Sequence, residues 1–177
     1  MADVHAGEEQ VVHQAAIAQA RVDALVREYQ TKIARYVRRM IGDAEAAMDV
    51  TQDVFLAAYR MLRDDPQREL TAGWLYRAST NAAISFLRRR KILRILPLDR
   101  DIDRGDWRID ERSTASVDLQ TALGRLPPEQ SAAVLLTTYA GYSSQEAAAM
   151  LGTSADAVRQ RVCRAMRVLR SVMTEER

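Results

Sequence analysis

The chain is expected to be all-α, with two small helical domains joined by a flexible linker and a helix-turn-helix in the second. Three observations lead there. Apolar residues recur at helical spacing along most of the 177 residues, and strand alternation is absent. The stretch 97–116, PLDRDIDRGDWRIDERSTAS, loses that periodicity, and so long an irregular segment fits a linker better than a loop inside a compact domain. Beyond it, 126–170 reads as three short helices, the last two separated by a tight glycine turn.

The first domain opens with a helical pattern from Gln10 to Ile41, which admits one break and ends at Gly42-Asp43. Ala44 to Arg63 forms a second helix, closed by Asp64-Asp65-Pro66, because proline disfavours helical geometry in the residue before it. At about 100° per residue, Val50, Val54, Ala58 and Met61 point inward. Glu45, Asp49, Gln52, Leu56 and Arg60 line the opposite side, with Asp53 at its margin. A lone leucine within an acidic rim fits a protein-binding patch, but single exposed leucines are also common; spacing leaves both readings open.

A third helix runs from Thr71 to about Ile95. Leu75, Ala82, Ala83 and Phe86 share its inward face, with Trp74, Arg77, Asn81, Ser85 and Arg88 opposite, continuing into the run Arg88-Arg89-Arg90-Lys91. An aromatic ring beside arginines can stack on unpaired bases while the cations hold the backbone. The competing reading has Trp74 anchoring the helix start in the core and the arginines merely solvated.

In the second domain Ser143 can cap the middle helix, with Glu146 three residues on completing a capping box. Ala147, Ala148 and Leu151 lead to Gly152, suited to a left-handed turn. Thr153 or Ser154 restarts the chain, and Asp156 meets the positive end of the next helix. On that helix Val158, Val162, Ala165 and Leu169 form an apolar stripe. Gln160, Cys163, Arg164 and Arg167 lie opposite, flanked by Arg159 and Arg161. Arginine pairs with guanine edges, glutamine with adenine, and flanking arginines with phosphate. This favours a DNA-reading helix over an amphipathic surface helix.

Charge supports separate partners for separate surfaces. Net charge is only +2, yet Thr71 to Leu96 carries Arg77, Arg88, Arg89, Arg90, Lys91 and Arg94 without an acidic residue. Asp43 to Asp65 reverses the balance, with Asp43, Glu45, Asp49, Asp53, Asp64 and Asp65 against Arg60 and Arg63. A nucleic acid on one surface and a protein on the other fits that split. The lone Cys163 excludes an internal disulfide and a cysteine-rich zinc site. With only His5 and His13 available, no metal centre is expected. No run approaches the roughly 18 apolar residues of a membrane span, and the N-terminus lacks a signal peptide's basic-then-apolar order. No membrane insertion and a cytoplasmic location follow as expectations.

Three segments, in order, resemble the extracytoplasmic-function (ECF) sigma factors of bacterial RNA polymerase, in the sigma-70 family. Ala47 to Leu62, AMDVTQDVFLAAYRML, is similar to the family's clamp-binding helix. Gly73 to Lys91, GWLYRASTNAAISFLRRRK, is similar to its tryptophan-led helix for the −10 promoter element. The C-terminal segment, from Leu126-Pro127-Pro128 onward, is similar to its −35 reader. The resemblance covers most of residues 22–172. It implies a region 2 domain over 22–96, a linker over 97–117, a region 4 domain over 118–177, and an N-terminal extension, 1–21, outside the motifs.

What it implies for function follows the same segments. Glu45, Asp49, Gln52, Asp53, Leu56 and Arg60 would bind the β′ clamp helices of core polymerase, and the second domain would sit at the β flap. Trp74, Arg77, Asn81, Ser85, Arg88, Arg89 and Arg90 would handle melted −10 DNA. The loop Arg63 to Leu70 falls where the family holds a flipped base. Ser154, Arg159, Gln160, Arg161, Cys163, Arg164 and Arg167 would face the double-stranded −35 element. The acidic linker would thread the RNA path, an anti-sigma factor is a further candidate partner, and no catalytic group, cofactor or metal is required.

Departures from the family pattern stand at Thr51, Asp53, Thr80, Ser85 and Ser131; they bear on promoter preference and leave fold and class alone. Two other classes are less well served. A stand-alone helix-turn-helix regulator leaves the acidic face and the tryptophan helix unexplained. A DNA-processing enzyme needs a nucleophile or clustered carboxylates, and Asp49 with Asp53, one turn apart, is a weak metal motif.

Overall fold

Local chemistry sets each helix boundary. The structure, a computed structural model, describes residues 2–95 and 114–175, with side chains described for 13–92 and 119–172. Helix α1 (Ala2–Ile41) runs 40 residues and stops where Gly42 takes φ 79° and returns its N–H to Arg38 O at 2.8 Å. The break admitted from the sequence is absent: neither proline nor glycine interrupts Gln10 to Ile41.

Asp43 starts α2 (Ala44–Asp64) by accepting the Ala46 N–H at 3.0 Å, satisfying one of the donors a helix leaves free at its start. Its buried face carries Val50, Val54 and Ala58, as the spacing predicts, with Phe55 and Leu62 beside them. Met61, expected to point inward, is half-buried; Leu62 takes the fully buried place next to it. Thr71 opens α3 (Ala72–Ile95), its hydroxyl accepting the Trp74 N–H at 3.3 Å.

These three helices close over Ile33, Tyr36 and Val37 from α1, Val54 and Phe55 from α2, and Leu75 and Tyr76 from α3. Ala83 joins them, whereas Ala82 and Phe86, expected on the same face, are only half-buried. Polar atoms inside are paired. The single Thr80 hydroxyl hydrogen goes to Tyr76 O at 2.7 Å, so the fully buried Tyr36 must donate to Thr80 Oγ1, also at 2.7 Å. Burial pushes the Tyr36 phenol well above its ordinary value.

The second half comprises α4 (Thr114–Gly124), α5 (Pro128–Val134), α6 (Ser144–Leu151) and α7 (Ala155–Glu175). Pro128 stands at the first position of α5, where a missing N–H costs nothing. α5 then widens into a π-helical turn, Leu135–Tyr139, with Ala140 N–H reaching back to Leu135 O at 2.8 Å. α4 begins within the stretch 97–117 expected as linker; residues 97–113 of that stretch lie outside the described residues. Among the described residues there is no strand.

The two halves pack together, α3 against α6 and α5, and α1 against α4 and α5. Tyr76 stacks edge-on against Tyr36 and Tyr142, each at 5.2 Å. Burial, with the neighbouring tyrosines, raises the Tyr76 phenol to about 12. The Arg39 guanidinium lies 4.3 Å from the centre of the Tyr139 ring, and Gln120 donates to Arg39 O at 3.0 Å.

Candidate polymerase and nucleic-acid interfaces

The helix-turn-helix is built from α6 and α7. Glu146 N–H donates to Ser143 Oγ at 3.2 Å, while Ser143 N–H donates back to Glu146 Oε2 at 2.8 Å, completing the capping box. The Ser143 hydroxyl and N–H together hold the exposed Glu146 carboxyl below its ordinary value. α6 ends at Gly152, whose φ of 61° and ψ of 41° are left-handed, and Thr153 N–H closes the turn onto Ala148 O at 3.0 Å. Ser154, rather than Thr153, caps α7: its hydroxyl accepts the Ala157 N–H at 3.1 Å. Asp156 in the first turn pairs with Arg159.

With its start fixed, α7 buries Val158, Ala165 and Leu169 and half-buries Val162. Gln160, Cys163, Arg164 and Arg167 are exposed on the far side, as are Ser154 and Arg159, while Arg161 is half-buried. That is a braced helix offering guanidinium and amide groups to solvent, the arrangement major-groove reading requires.

On α3, Asn81, Ser85, Arg88 and Arg89 are exposed and Arg90 is half-buried. Trp74 departs from the exposed placement expected of it. It is half-buried and packs against the main core, because the first turn of α3 leans on that core beside the Thr71 cap. Arg77 is exposed but occupied. Its Nε donates to Met150 O at 3.2 Å and its Nη2 to Ala149 O. Both carbonyls belong to the last turn of α6, where helix carbonyls lack partners of their own. Arg88, exposed, pairs with the half-buried Glu129 of α5 at 3.1 Å.

On α2, Glu45, Asp49, Gln52, Asp53, Leu56 and Arg60 are all exposed. Leu56 is 50% exposed and Met48, on the same side of the helix, 46%. A pair of apolar side chains within an acidic rim is a better-defined patch than a single leucine.

Met48 was legible at helical spacing from Gln52 and was missed. Arg21, Glu129 and the Arg39–Tyr139 pair were also missed, since nothing local ties them to partners far along the chain. The departures divide cleanly. Thr51, Thr80 and Ser131 are buried hydroxyls donating to Ala47 O, Tyr76 O and Leu123 O at 2.7, 2.7 and 3.1 Å. They therefore serve packing. Only Asp53 and Ser85 present themselves at a surface.

Fold and surface together define a helical protein of two packed halves, the second a helix-turn-helix with a basic solvent-facing side. The family model for Sigma-70 region 2 matches residues 25–92, and that for Sigma-70 region 4 matches residues 116–169. The ECF RNA polymerase sigma factor SigM of Mycobacterium tuberculosis is 35% identical, over 81% of this chain and 72% of its own length. The chain belongs to the ECF sigma factors of the sigma-70 family. The ECF RNA polymerase sigma factor SigE of Mycolicibacterium smegmatis is likewise 35% identical, over 86% of this chain; the match spans 62% of that longer relative. Among solved structures, CnrH in complex with the cytosolic domain of CnrY aligns with a TM-score of 0.68 at 27% identity, covering 94% of this chain and 96% of CnrH. The sigma factor RpoE of Bartonella quintana, solved with the anti-sigma factor NepR, shares the fold at 19% identity and a TM-score of 0.68, covering 88% of this chain and 98% of RpoE.

Proposed function

We propose that this chain directs core RNA polymerase to a specific set of promoters and helps open them. The observation that carries the reading is α7, capped by Ser154 after the left-handed Gly152 turn, with a buried stripe behind and Gln160, Arg164 and Arg167 exposed in front. Gln160 and Arg164 read −35 base edges, while Arg159 and Arg161 grip phosphates. Ser154 spends its oxygen lone pair on the α7 cap and keeps its hydroxyl hydrogen for a phosphate. Cys163, exposed between Gln160 and Arg164, offers a small apolar side chain to a thymine methyl.

Glu45, Asp49, Gln52, Asp53, Leu56 and Arg60, joined by Met48, form the face for the β′ clamp helices, and the second domain meets the β flap. Asn81, Ser85, Arg88, Arg89 and Arg90, with Trp74 and Arg77 at the head of α3, engage the melted −10 strand. The segment Arg63 to Leu70 receives a flipped base, whose unstacking costs a few kcal/mol that pocket contacts offset. The linker threads the RNA path. No bond is made or broken by the chain itself, no cofactor takes part, and the location is cytoplasmic. An anti-sigma factor covering these faces is a fitting partner, as the family resemblance implies.

Run-off transcription with purified core polymerase on a genomic promoter pool tests the reading. A shared pair of −35 and −10 motifs among the transcripts is expected. Sequence-specific DNA binding without polymerase, and no transcript with it, would place the chain among stand-alone regulators instead.

A further inference from the structure

Arg21 of α1 reaches across 45 residues of sequence to the segment joining α2 and α3. Its guanidinium donates to the carbonyl of Pro66 and, at 2.9 Å, to that of Arg68. The contact sits beside a small core separate from the main one. Ala18, Val22 and Leu62 are buried there, with Leu25, Val26, Tyr59 and Leu70 packed against them. Leu70 thus fastens the far end of the same segment. Within it, Asp65 makes a tight turn, accepting the Gln67 N–H on its carboxylate at 3.2 Å and the Arg68 N–H on its carbonyl at 3.1 Å.

The result is a backbone tied at two carbonyls, two amides and one apolar side chain, while Gln67, Arg68 and Glu69 remain exposed. Fixed main chain under free polar side chains suits a surface that must meet a ligand in one register. α3, with Thr71 and Trp74 at its head, follows directly. The Sigma-70 region 2 match begins at residue 25, so Ala18, Arg21 and Val22 precede it.

We propose that Arg21 is a positioning residue for −10 base selection, holding the Pro66–Arg68 backbone in the register that receives the flipped base. This rests on the reading above that places the pocket at Arg63 to Leu70. Arginine suits the task because its planar fork can satisfy two carbonyls at once, which a lysine ammonium on a flexible stem does poorly. The N-terminal part of α1 thereby contributes to promoter choice without touching DNA.

The test uses the full chain assembled with core polymerase, transcribing a promoter library randomised at −10 and −35. Wild type, Arg21→Ala, Arg21→Lys and a Gln67→Ala/Arg68→Ala control are compared. Thermal midpoints are recorded, with amide hydrogen exchange of Gln67 to Leu70. Arg21→Ala should lower the preference at one −10 base by about tenfold, the size of one misplaced polar contact. The −35 motif should stay as in wild type, exchange should rise in Gln67 to Leu70, and Arg21→Lys should recover part of the preference. If the loop control shifts −10 selection but Arg21→Ala does not, Arg21 is no positioner and the pocket reading stands. If the loop control leaves −10 selection untouched, the pocket reading fails and the proposal with it. Joint loss of −10 and −35 selectivity with a lowered midpoint would make Arg21 a fold-stabilising residue and overturn the proposal.

Discussion

Truncating Arg164 to alanine should change which bases are selected at −35 while leaving the fold intact. No hydrogen bond or ion pair holds its guanidinium among the described residues, so its removal orphans no partner. An exposed truncation of that kind shifts stability by no more than about 0.5 kcal/mol. A lost bidentate contact to a base costs about 1–3 kcal/mol, about 5- to 150-fold, and confines the loss to one position of the motif. Arg161 sits half-buried at the flank, suited to a phosphate. Arg161→Ala should weaken all sequences alike and reduce the salt dependence by about one unit of slope. Arg159 is a third case: it must first leave Asp156, an exposed pair worth less than about 1 kcal/mol, before it can meet DNA. The assay selects −35 sequences with holoenzyme carrying each variant and repeats binding over a salt series. If Arg161→Ala rewrites the motif and Arg164→Ala does not, the reading face is rotated from the one assigned and the assignment is refuted.

Asp49→Arg or Leu56→Asp should abolish binding to core polymerase with helical content unchanged, since both side chains are exposed and hold nothing in the core; native affinity in both variants would remove α2 from the interface. Asn81→Ala should reduce permanganate reactivity of −10 thymines more than it reduces polymerase binding, and equal melting on a linear promoter would leave Asn81 only structural. Ser143→Ala removes a helix cap worth about 1 kcal/mol and should lower the thermal midpoint at neutral pH by about 2–4 °C. Because the folded Glu146 carboxyl lies below its ordinary value, its contribution is present at neutral pH and lost as pH falls through the folded value. The gap between wild type and Ser143→Ala should therefore narrow in acid, and a gap that widens there would contradict the capping geometry.

What the sequence revealed was local. Ser143, Glu146, Gly152 and Asp156 act within one turn of where they stand, so their spacing alone marks a cap, a box and a left-handed stop. The α7 stripe is legible for the same reason: one helix period decides which side is wet. The α2 face was nearly complete, lacking only Met48, which helical spacing from Gln52 also places there. Long-range partners left no trace. Arg21 is spaced like its apolar neighbours Ala18 and Val22, and nothing in its surroundings points to carbonyls in the α2–α3 segment. Trp74 was misjudged because a helical wheel assigns direction but not depth, and a first-turn ring can lean onto the core from the wet side. Thr51, Thr80 and Ser131 stand out in the sequence only as departures from the family pattern, because their main-chain acceptors and their burial are set by the packing of the helices.

Arg77 and Arg88 link the two halves of the molecule to its proposed work. In the arrangement described, Arg77 caps the last turn of α6 and Arg88 pairs with Glu129, so two of the four cations assigned to the −10 strand are engaged by the second domain. They cannot serve that domain and DNA together. The Arg88 pair is exposed and worth less than about 1 kcal/mol, and the Arg77 contacts, though charge-assisted, also lie at the solvent boundary. Apolar contact across the junction includes Tyr142 edge-on to Tyr76 and Met150 beside Gly73 at the head of α3, and the buried residues of both halves join in one cluster. On the proposed reading the polar latches are exchangeable, since each freed arginine would find a phosphate in place of a carbonyl or an exposed carboxylate.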